Sequence, residues 1–325
     1  MTDKGKQLTL SLQRDACRKH PDHSRKSPMP STQAPPLVLS IQSHVAYGHV
    51  GNDAAMLPLQ LLGIEPVAVH TVQFSNHTGY GEFKGQVFTP AHVQDVLDGL
   101  RARGVLARCT AVLSGYLGDA GVGEAILAAV QEVRAAQPQA HYLCDPVMGD
   151  VGRGVFVRPG IPDFLRKRAL SQASVITPNH YEFELLCGGQ PLTTMEAATQ
   201  AARAMLTQLH HSPSAMIVIT SLRTDDLPSD QLATLAVTAD KSWLVQTPYI
   251  DLHPLPNGMG DVFSAVLLGH LIQGRAVADA VSRAVSTLYA LVSRTESGQR
   301  DLPLVASREQ INQPSQMFEA RLMTS

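Results

Sequence analysis

Leu37-Val38-Leu39-Ser40-Ile41-Gln42, a glycine turn at Gly48 and Gly51, an apolar run over residues 52–62, and then Pro66-Val67-Ala68-Val69-His70-Thr71-Val72 set the pattern of this chain. A short apolar run bounded by turn residues is a buried strand, and a longer one with apolar residues on one side is a helix. Strand, helix and strand in that order make a crossover unit with parallel strands. The alternation continues outward. A helix is expected over 90–103, where Val93, Val96, Leu97 and Leu100 fall at helical spacing. Strands are expected over 111–113, 141–144, 174–176 and 215–219, and helices over 123–136, 181–187 and 195–209. A β pair follows at 232–238 and 242–246, and the last helices span 261–273 and 278–293. The chain is expected to be α/β, with a mostly parallel central sheet covered by helices on both faces in three α/β/α layers. No internal repeat or linker interrupts residues 37–325, which are expected to be one domain.

Bulk composition removes several classes of function. With 44% hydrophobic residues in a chain of 325, there is material for a large buried core. A formal charge of −2 offers no polybasic surface for nucleic acid or for an acidic membrane. No apolar run is long enough to span a bilayer. The four cysteines, Cys17, Cys109, Cys144 and Cys187, form no C-x-x-C pair and are expected to be reduced thiols in a cytoplasmic protein. Residues 1–36 are polar and basic and end in a Pro-rich stretch, so they are expected to be a disordered extension. They lack the apolar segment of a secretory signal.

The ends of the strands carry the chemistry. Ligands on open α/β sheets bind beyond the carboxyl ends of the strands. Just past the expected strands stand Ser43, Ser114-Gly115-Tyr116, Asp145, Thr177 and Thr220. Each by itself is more readily a helix cap than a ligand; together at one edge they suit a polar, phosphorylated ligand. Asn257-Gly258-Met259-Gly260-Asp261 precedes an apolar helix. Two glycines there let backbone N–H groups converge at a helix N-terminus, an anion hole for a transferring phosphoryl group. Asp261 could then take the proton of an attacking hydroxyl. A glycine turn with an Asp cap is the plain alternative. Asp145-Pro146-Val147-Met148-Gly149-Asp150 places two carboxylates where Mg²⁺ could bind, or is a turn stabilised by Asp. Thr177-Pro178-Asn179-His180-Tyr181-Glu182 opens a helix, where Glu182 is as readily a cap as a group reaching a metal-bound water. No G-x-x-x-x-G-K-[ST] loop and no G-x-G-x-x-G fingerprint is present, so neither a P-loop nucleotide site nor a nicotinamide oxidoreductase is expected. His44, His49, His70 and His77 show no helical metal-ligand spacing.

The runs Ile41-Gln42-Ser43-His44-Val45-Ala46-Tyr47-Gly48 and Thr71-Val72-Gln73-Phe74-Ser75-Asn76-His77-Thr78-Gly79-Tyr80 closely resemble pyridoxal kinases of the ribokinase-like superfamily. So do Leu113-Ser114-Gly115-Tyr116, the 145–150 and 177–182 runs, Val218-Ile219-Thr220-Ser221 and the 258–261 run, in the family's order and over essentially all of the chain from residue 37. The resemblance implies a ribokinase-like fold and ATP-dependent phosphorylation of the 5′-hydroxymethyl group of a vitamin B6 aldehyde. It implies that Ser43, Val72, Phe74, Thr78 and Tyr116 hold the pyridine ring. It further implies that Asp145, Asn179, Glu182, Thr220, Ser221 and Met259 line the ATP site, with Asp145, Asp150, Thr177 and Glu182 around the cation. The backbone of Gly258, Met259 and Gly260 would be the anion hole and Asp261 the base. Mg²⁺, a monovalent cation (K⁺ or Na⁺), ATP as co-substrate and a homodimer, with no nucleic-acid or membrane partner, complete what the resemblance implies. Two departures stand out: Met259 replaces the Thr or Val of many relatives, and the loop Val151-Gly152-Arg153-Gly154 is shorter than in some. The rival readings are a hydroxymethylpyrimidine-type kinase on the same fold and a non-catalytic carrier of pyridoxal 5′-phosphate.

Overall fold

A computed structural model of the chain describes residues 34–210 and 215–323. The expected disordered extension falls, for residues 1–33, outside the described residues, as does Cys17. In chain order the elements are β1 (Leu37–Tyr47), α1 (Asn52–Leu61), β2 (Glu65–Asn76), β3 (Gly85–Val87), α2 (Pro90–Ala102), β4 (Cys109–Ser114) and α3 (Ala120–Ala136). There follow β5 (His141–Cys144), β6 (Gly149–Asp150), β7 (Gly154–Val155), α4 (Ile161–Phe164), β8 (Val175–Ile176), α5 (His180–Leu186) and α6 (Met195–Leu206). The last are β9 (Met216–Leu222), β10 (Gln231–Thr238), β11 (Ser242–Pro248), α7 (Met259–Ile272), α8 (Val277–Val292), α9 (Glu309–Asn312) and β12 (Arg321–Leu322).

Ten strands form one sheet in the order β12-β11-β10-β9-β8-β5-β4-β1-β2-β3. From β2 across to β9 every pair is parallel, while β3 and β10–β12 add antiparallel margins. Side chains alternate across the sheet and so divide two cores. Leu39, Ile41, Ile217 and Ile219 face α2 to α6, whereas Val38, Met216 and Val218 face α1, α7, α8 and α9. This is the expected three-layer α/β/α arrangement. Helix α7 lies between α1 and α8, and its residues from Val262 to Leu271 are all buried, as its uniformly apolar sequence requires. Cys109 and Cys144 are buried and Cys187 half-buried, each a free thiol. Among the described residues no helix is long and apolar enough to cross a membrane.

Strand β1 has β2 on one side and β4 on the other, so successive crossovers diverge from it. Such a switch point opens a crevice at the carboxyl end of the sheet, where the candidate residues lie.

Several strands are longer than the sequence predicts, and the extensions of β1, of β2 (to Asn76) and of β9 touch the site. Strand β1 runs on to Tyr47 and pairs with β2 through Val45↔Phe74 and Tyr47↔Asn76. Ser43 therefore sits inside a strand, at a break in register between Gln42 and His44, and not just past its end. The apolar run stops at Gln42 because the two-layer core stops there, but backbone pairing continues without it. Strand β9 likewise runs to Leu222, carrying Thr220 and Ser221 across a second irregularity, opposite Ala233 and Leu235. A bulge of this kind re-aims side chains beside a site. Ser221 has φ of 52° and is the only non-glycine residue with positive φ among those described. Other differences are smaller: α6 ends at Leu206, and the loop after Asp145 carries the two-residue strands of a β6–β7 hairpin. The chain from 161 to 172, where no element is expected, is helical throughout, as α4, a π turn and a 3₁₀ turn.

Candidate active site

Asp261 lies in the first turn of α7, whose first intrahelical bond is Val262 N–H to Gly258 O at 3.0 Å. The N–H groups of Met259, Gly260 and Asp261 therefore have no partner within the helix, and they add their polarity to the positive end of its dipole. Gly258 caps the helix with φ of 80°, and a Cβ there would lie 2.0 Å from the carbonyl oxygen of His49. Only glycine fits that close approach. The side chain of Met259 packs partly against the core shared by α1, α7 and α8. The Asp261 carboxylate accepts the N–H of Gly51 at 2.8 Å. Burial pushes its carboxyl above the ordinary value, the Gly51 bond opposes that, and the charge of Asp53 adds to it.

The acidic groups of the two predicted loops meet behind this turn. Asp145 is buried, and a Cβ on Gly260 would be 3.3 Å from its Oδ2. That oxygen accepts Ser264 Oγ at 3.4 Å, and Ser264 Oγ lies 2.8 Å from Thr177 Oγ1, so a hydroxyl chain joins Thr177 to Asp145. Burial first, then the charges of Glu182 and Asp261, hold the Asp145 carboxyl well above its usual range. Glu182 is pushed up to about 7 by burial, even though it accepts backbone N–H groups of Met148 (2.9 Å), Gly149 (3.4 Å) and Asn179 (3.0 Å). With Asn179 accepting Glu182 N–H at 2.8 Å, the two form a capping box on α5. The amide of Asn179 also donates to Gly149 O at 2.9 Å. Of the two roles open to Glu182, capping is thus present in the geometry. Asp150 begins the β6–β7 turn, accepts Val151 N–H at 2.8 Å and is raised by burial. Thr220 N–H bonds Pro178 O at 2.9 Å, holding the 177–179 segment against β9. Among the described residues no ion pair reaches Asp145, Glu182 or Asp261. Nor does any group of three or more His, Cys, Asp or Glu have ready-made metal geometry. Buried carboxylates raised by burial and by neighbouring acids, with a hydroxyl beside them and no basic partner, are an oxygen donor set suited to a hard divalent cation.

The predicted ring-binding residues gather at the neighbouring edge. Ser43 lies over Gly51, where a Cβ would come within 2.3 Å of Ser43 Oγ. On β2, Val72 is fully buried and Phe74 packs against Phe83 at 4.9 Å between ring centres. Tyr116 is fixed behind them, its carbonyl accepting Thr71 Oγ1 at 2.7 Å. Thr78 opens a 3₁₀ turn, Thr78–Tyr80, capped by the imidazole of His77. Sequence reasoning missed Gly51 as a partner of Asp261 and Ser264 as a partner of Asp145. Ser264 had a signal, since it stands one helical turn after Asp261; the Gly51 bond had none.

An acid beside a glycine turn at a helix N-terminus, at the switch point of a mostly parallel sheet, is the arrangement expected of a small-molecule kinase of the ribokinase-like class. The family model for phosphomethylpyrimidine kinase matches residues 69–304. The chain is 47% identical to pyridoxal kinase PdxY of Deinococcus radiodurans over 284 residues, 87% of this chain and 95% of that one. It is 49% identical to pyridoxal kinase PdxY of Rubrobacter xylanophilus over 285 residues, 87% and 96% of the two chains. The solved structure of Leishmania donovani pyridoxal kinase in complex with ADP and pyridoxamine superposes with a TM-score of 0.80 at 32% identity, covering 89% of this chain and 99% of that one. The chain belongs to the family that the phosphomethylpyrimidine kinase model describes and, within it, to the pyridoxal kinases, and it is an enzyme of the phosphotransferase type.

Proposed function

We propose that this enzyme transfers the γ-phosphoryl group of ATP to the 5′-hydroxymethyl oxygen of pyridoxal, giving pyridoxal 5′-phosphate and ADP, with Asp261 as the general base. The observation that carries this is the placement of Asp261: half-buried, in the first turn of α7, 2.8 Å from Gly51 N and beside the N–H groups of Met259 and Gly260, which have no partner within the helix. Its raised pKa brings it nearer to the working pH, which favours a base that must both ionise and accept a proton. Ser43, Val72, Phe74, Thr78 and Tyr116 would present the ring so that its hydroxymethyl group reaches Asp261. The backbone of Gly258, Met259 and Gly260 would receive the charge on the phosphoryl oxygens.

Asp145, with Asp150, Thr177 and Glu182 around it, would hold Mg²⁺ directly or through water, and the ion would supply neutralisation of the ATP phosphates. Asn179, Thr220, Ser221 and Met259 would border the nucleotide. A monovalent cation, a homodimeric assembly and a cytoplasmic setting belong to the same proposal, as does a division into an extension over 1–36 and a kinase domain over 37–325. The test is phosphoryl transfer from MgATP to pyridoxal, followed by the absorbance of pyridoxal 5′-phosphate, in K⁺ and in Na⁺, with hydroxymethylpyrimidine in parallel. Turnover of pyridoxal alone supports the proposal. Turnover of the pyrimidine alone keeps the mechanism and overturns the substrate. Binding of pyridoxal 5′-phosphate without turnover of either would make the chain a carrier.

A further inference from the structure

Residues 298–303 follow α8 and form one wall of a cleft of about 910 Å³, opposite Val45, Tyr47, His49 and Tyr80. Asp301 in this wall uses both carboxylate oxygens on residues far away in sequence. Its Oδ1 accepts His49 N–H at 3.2 Å, and its Oδ2 accepts the hydroxyl of Tyr80. Its neighbour Arg300 donates to Gly79 O at 2.7 Å, lies 5.6 Å over the ring of Tyr80, and accepts Asn257 N–H on its own carbonyl at 2.7 Å. Three loops therefore meet on two consecutive residues: the 48–51 turn, the Thr78–Tyr80 turn and the start of the 257–261 loop.

We propose that Asp301 is a positioning residue for phosphoryl transfer, acting on Asp261 through the 48–51 turn and on the ring site through Tyr80. His49 is held at both ends, its N–H by Asp301 and its carbonyl against Gly258. Two residues later the same turn delivers Gly51 N–H to Asp261. A chain of contacts thus runs from Asp301 through His49 and Gly51 to the carboxylate. The second arm fixes the turn that begins at Thr78, because burial and the Asp301 carboxylate keep the Tyr80 phenol protonated and a donor. Among the described residues no contact of Asp301 reaches Asp145, Glu182 or the 177–179 segment, so its influence falls on the acceptor substrate, the base and the start of the 257–261 loop more than on the groups that would hold the metal and the nucleotide.

This rests on Asp261 being the base, and the experiment separates the two. In the full chain, Asp301→Ala, Asp301→Asn and Tyr80→Phe are compared with wild type and with Asp261→Asn for kcat, for KM of pyridoxal and of MgATP, for the acid limb of kcat/KM and for thermal stability. Misplacement of a reacting group by a fraction of an ångström to an ångström costs up to about a hundredfold, so Asp301→Ala is expected to lower kcat/KM for pyridoxal on the order of ten- to a hundredfold. The KM for MgATP should stay near wild type. Loss of an aligned Gly51 N–H removes a bond that favours the carboxylate, so the acid limb should move to higher pH. The groups facing Asp261 that share this limb are Asp53 and Asp145. Tyr80→Phe keeps the His49 bond and should raise the KM for pyridoxal while leaving the limb in place. Should the alanine variant fail to fold, the isosteric Asp301→Asn carries the test through the same split between the two substrates. A lower melting temperature with wild-type kcat/KM and an unmoved limb would overturn the proposal. Normal turnover in Asp261→Asn together with the pyridoxal-specific loss in Asp301→Ala would instead overturn the base assignment and leave the Tyr80 arm standing.

Discussion

Gly51 donates its backbone N–H to Oδ2 of Asp261 at 2.8 Å across 210 positions of sequence, and so ties the first crossover of the sheet to the N-terminus of its most buried helix. The bond holds the carboxylate in one orientation at the switch point and favours its charged form. Burial and the charge of Asp53 push the other way and leave the carboxyl above its ordinary value.

Asp261→Asn should leave folding and MgATP binding nearly intact and lower kcat by roughly 10²–10⁴-fold, the usual contribution of a general base. Single-turnover kinetics beside nucleotide titration check this, and near-normal turnover would remove Asp261 from the mechanism. In wild type the acid limb of kcat/KM should lie above the ordinary Asp value of about 3.9, because the base must lose its proton to work.

Gly51→Ala should damage turnover more than its size suggests. Gly51 has φ of 56°, and the new methyl would sit 2.2 Å from Ser43 O and 2.3 Å from Ser43 Oγ. With ψ of −129° beside that positive φ, the backbone lies in a mirror-extended region that glycine adopts and that strains an L-residue. Relief by movement displaces both Ser43 and the N–H that holds Asp261. A steep fall in kcat/KM for pyridoxal is expected, measured together with the melting temperature; an active variant would show that the turn is not part of the site.

Glu182 makes stability depend on pH in an unusual direction. Its carboxyl rises from 4.5 to about 7 in the folded protein. Between those values the folded state binds more protons than the unfolded one, so stability is highest at the acid end and is lost as pH rises toward about 7. In Mg²⁺-free buffer, denaturant unfolding at about pH 5 and about pH 8 should show this slope, and Glu182→Gln should reduce it, the remainder coming from Asp145, Asp150 and Asp261, which burial also raises. The amide leaves an N–H without its acceptor, at a cost of about 1–3 kcal/mol. A slope unchanged in the variant would place the titration elsewhere.

Gly123→Ala should destabilise the protein although alanine is the better helix former. The added methyl on α3 would meet the ring of Phe164 at 2.2 Å. Overpacking costs about 1–3 kcal/mol, against a helix gain of roughly 1 kcal/mol. Urea unfolding of Gly123→Ala and of its pair with Phe164→Leu checks the cause, since the smaller partner should recover the loss.

Much of the fold was legible because burial on both faces of a sheet imposes an apolar run. Strand β5 at His141–Cys144 matches its expected bounds, and helices α1 and α2 each end one residue short of theirs. The runs failed where pairing continues without a core. Polar residues from Ser43 to Tyr47 belong to β1 because β2 supplies their hydrogen bonds, and no local pattern records that. The same holds for Ser221, a serine in left-handed backbone at an irregularity in β9.

The sequence by itself determined the layers, the order of most elements and the loops that carry acids and glycines, since these follow from periodicity and turn chemistry within a few residues. Tertiary structure alone decided the partners: Gly51 on Asp261, Ser264 between Thr177 and Asp145, and Asp301 under both His49 and Tyr80. Each joins groups that the folded sheet brings together from separate parts of the chain. A hydrogen bond needs its two atoms within about 3 Å, and that distance is set by packing, which no short stretch of sequence contains.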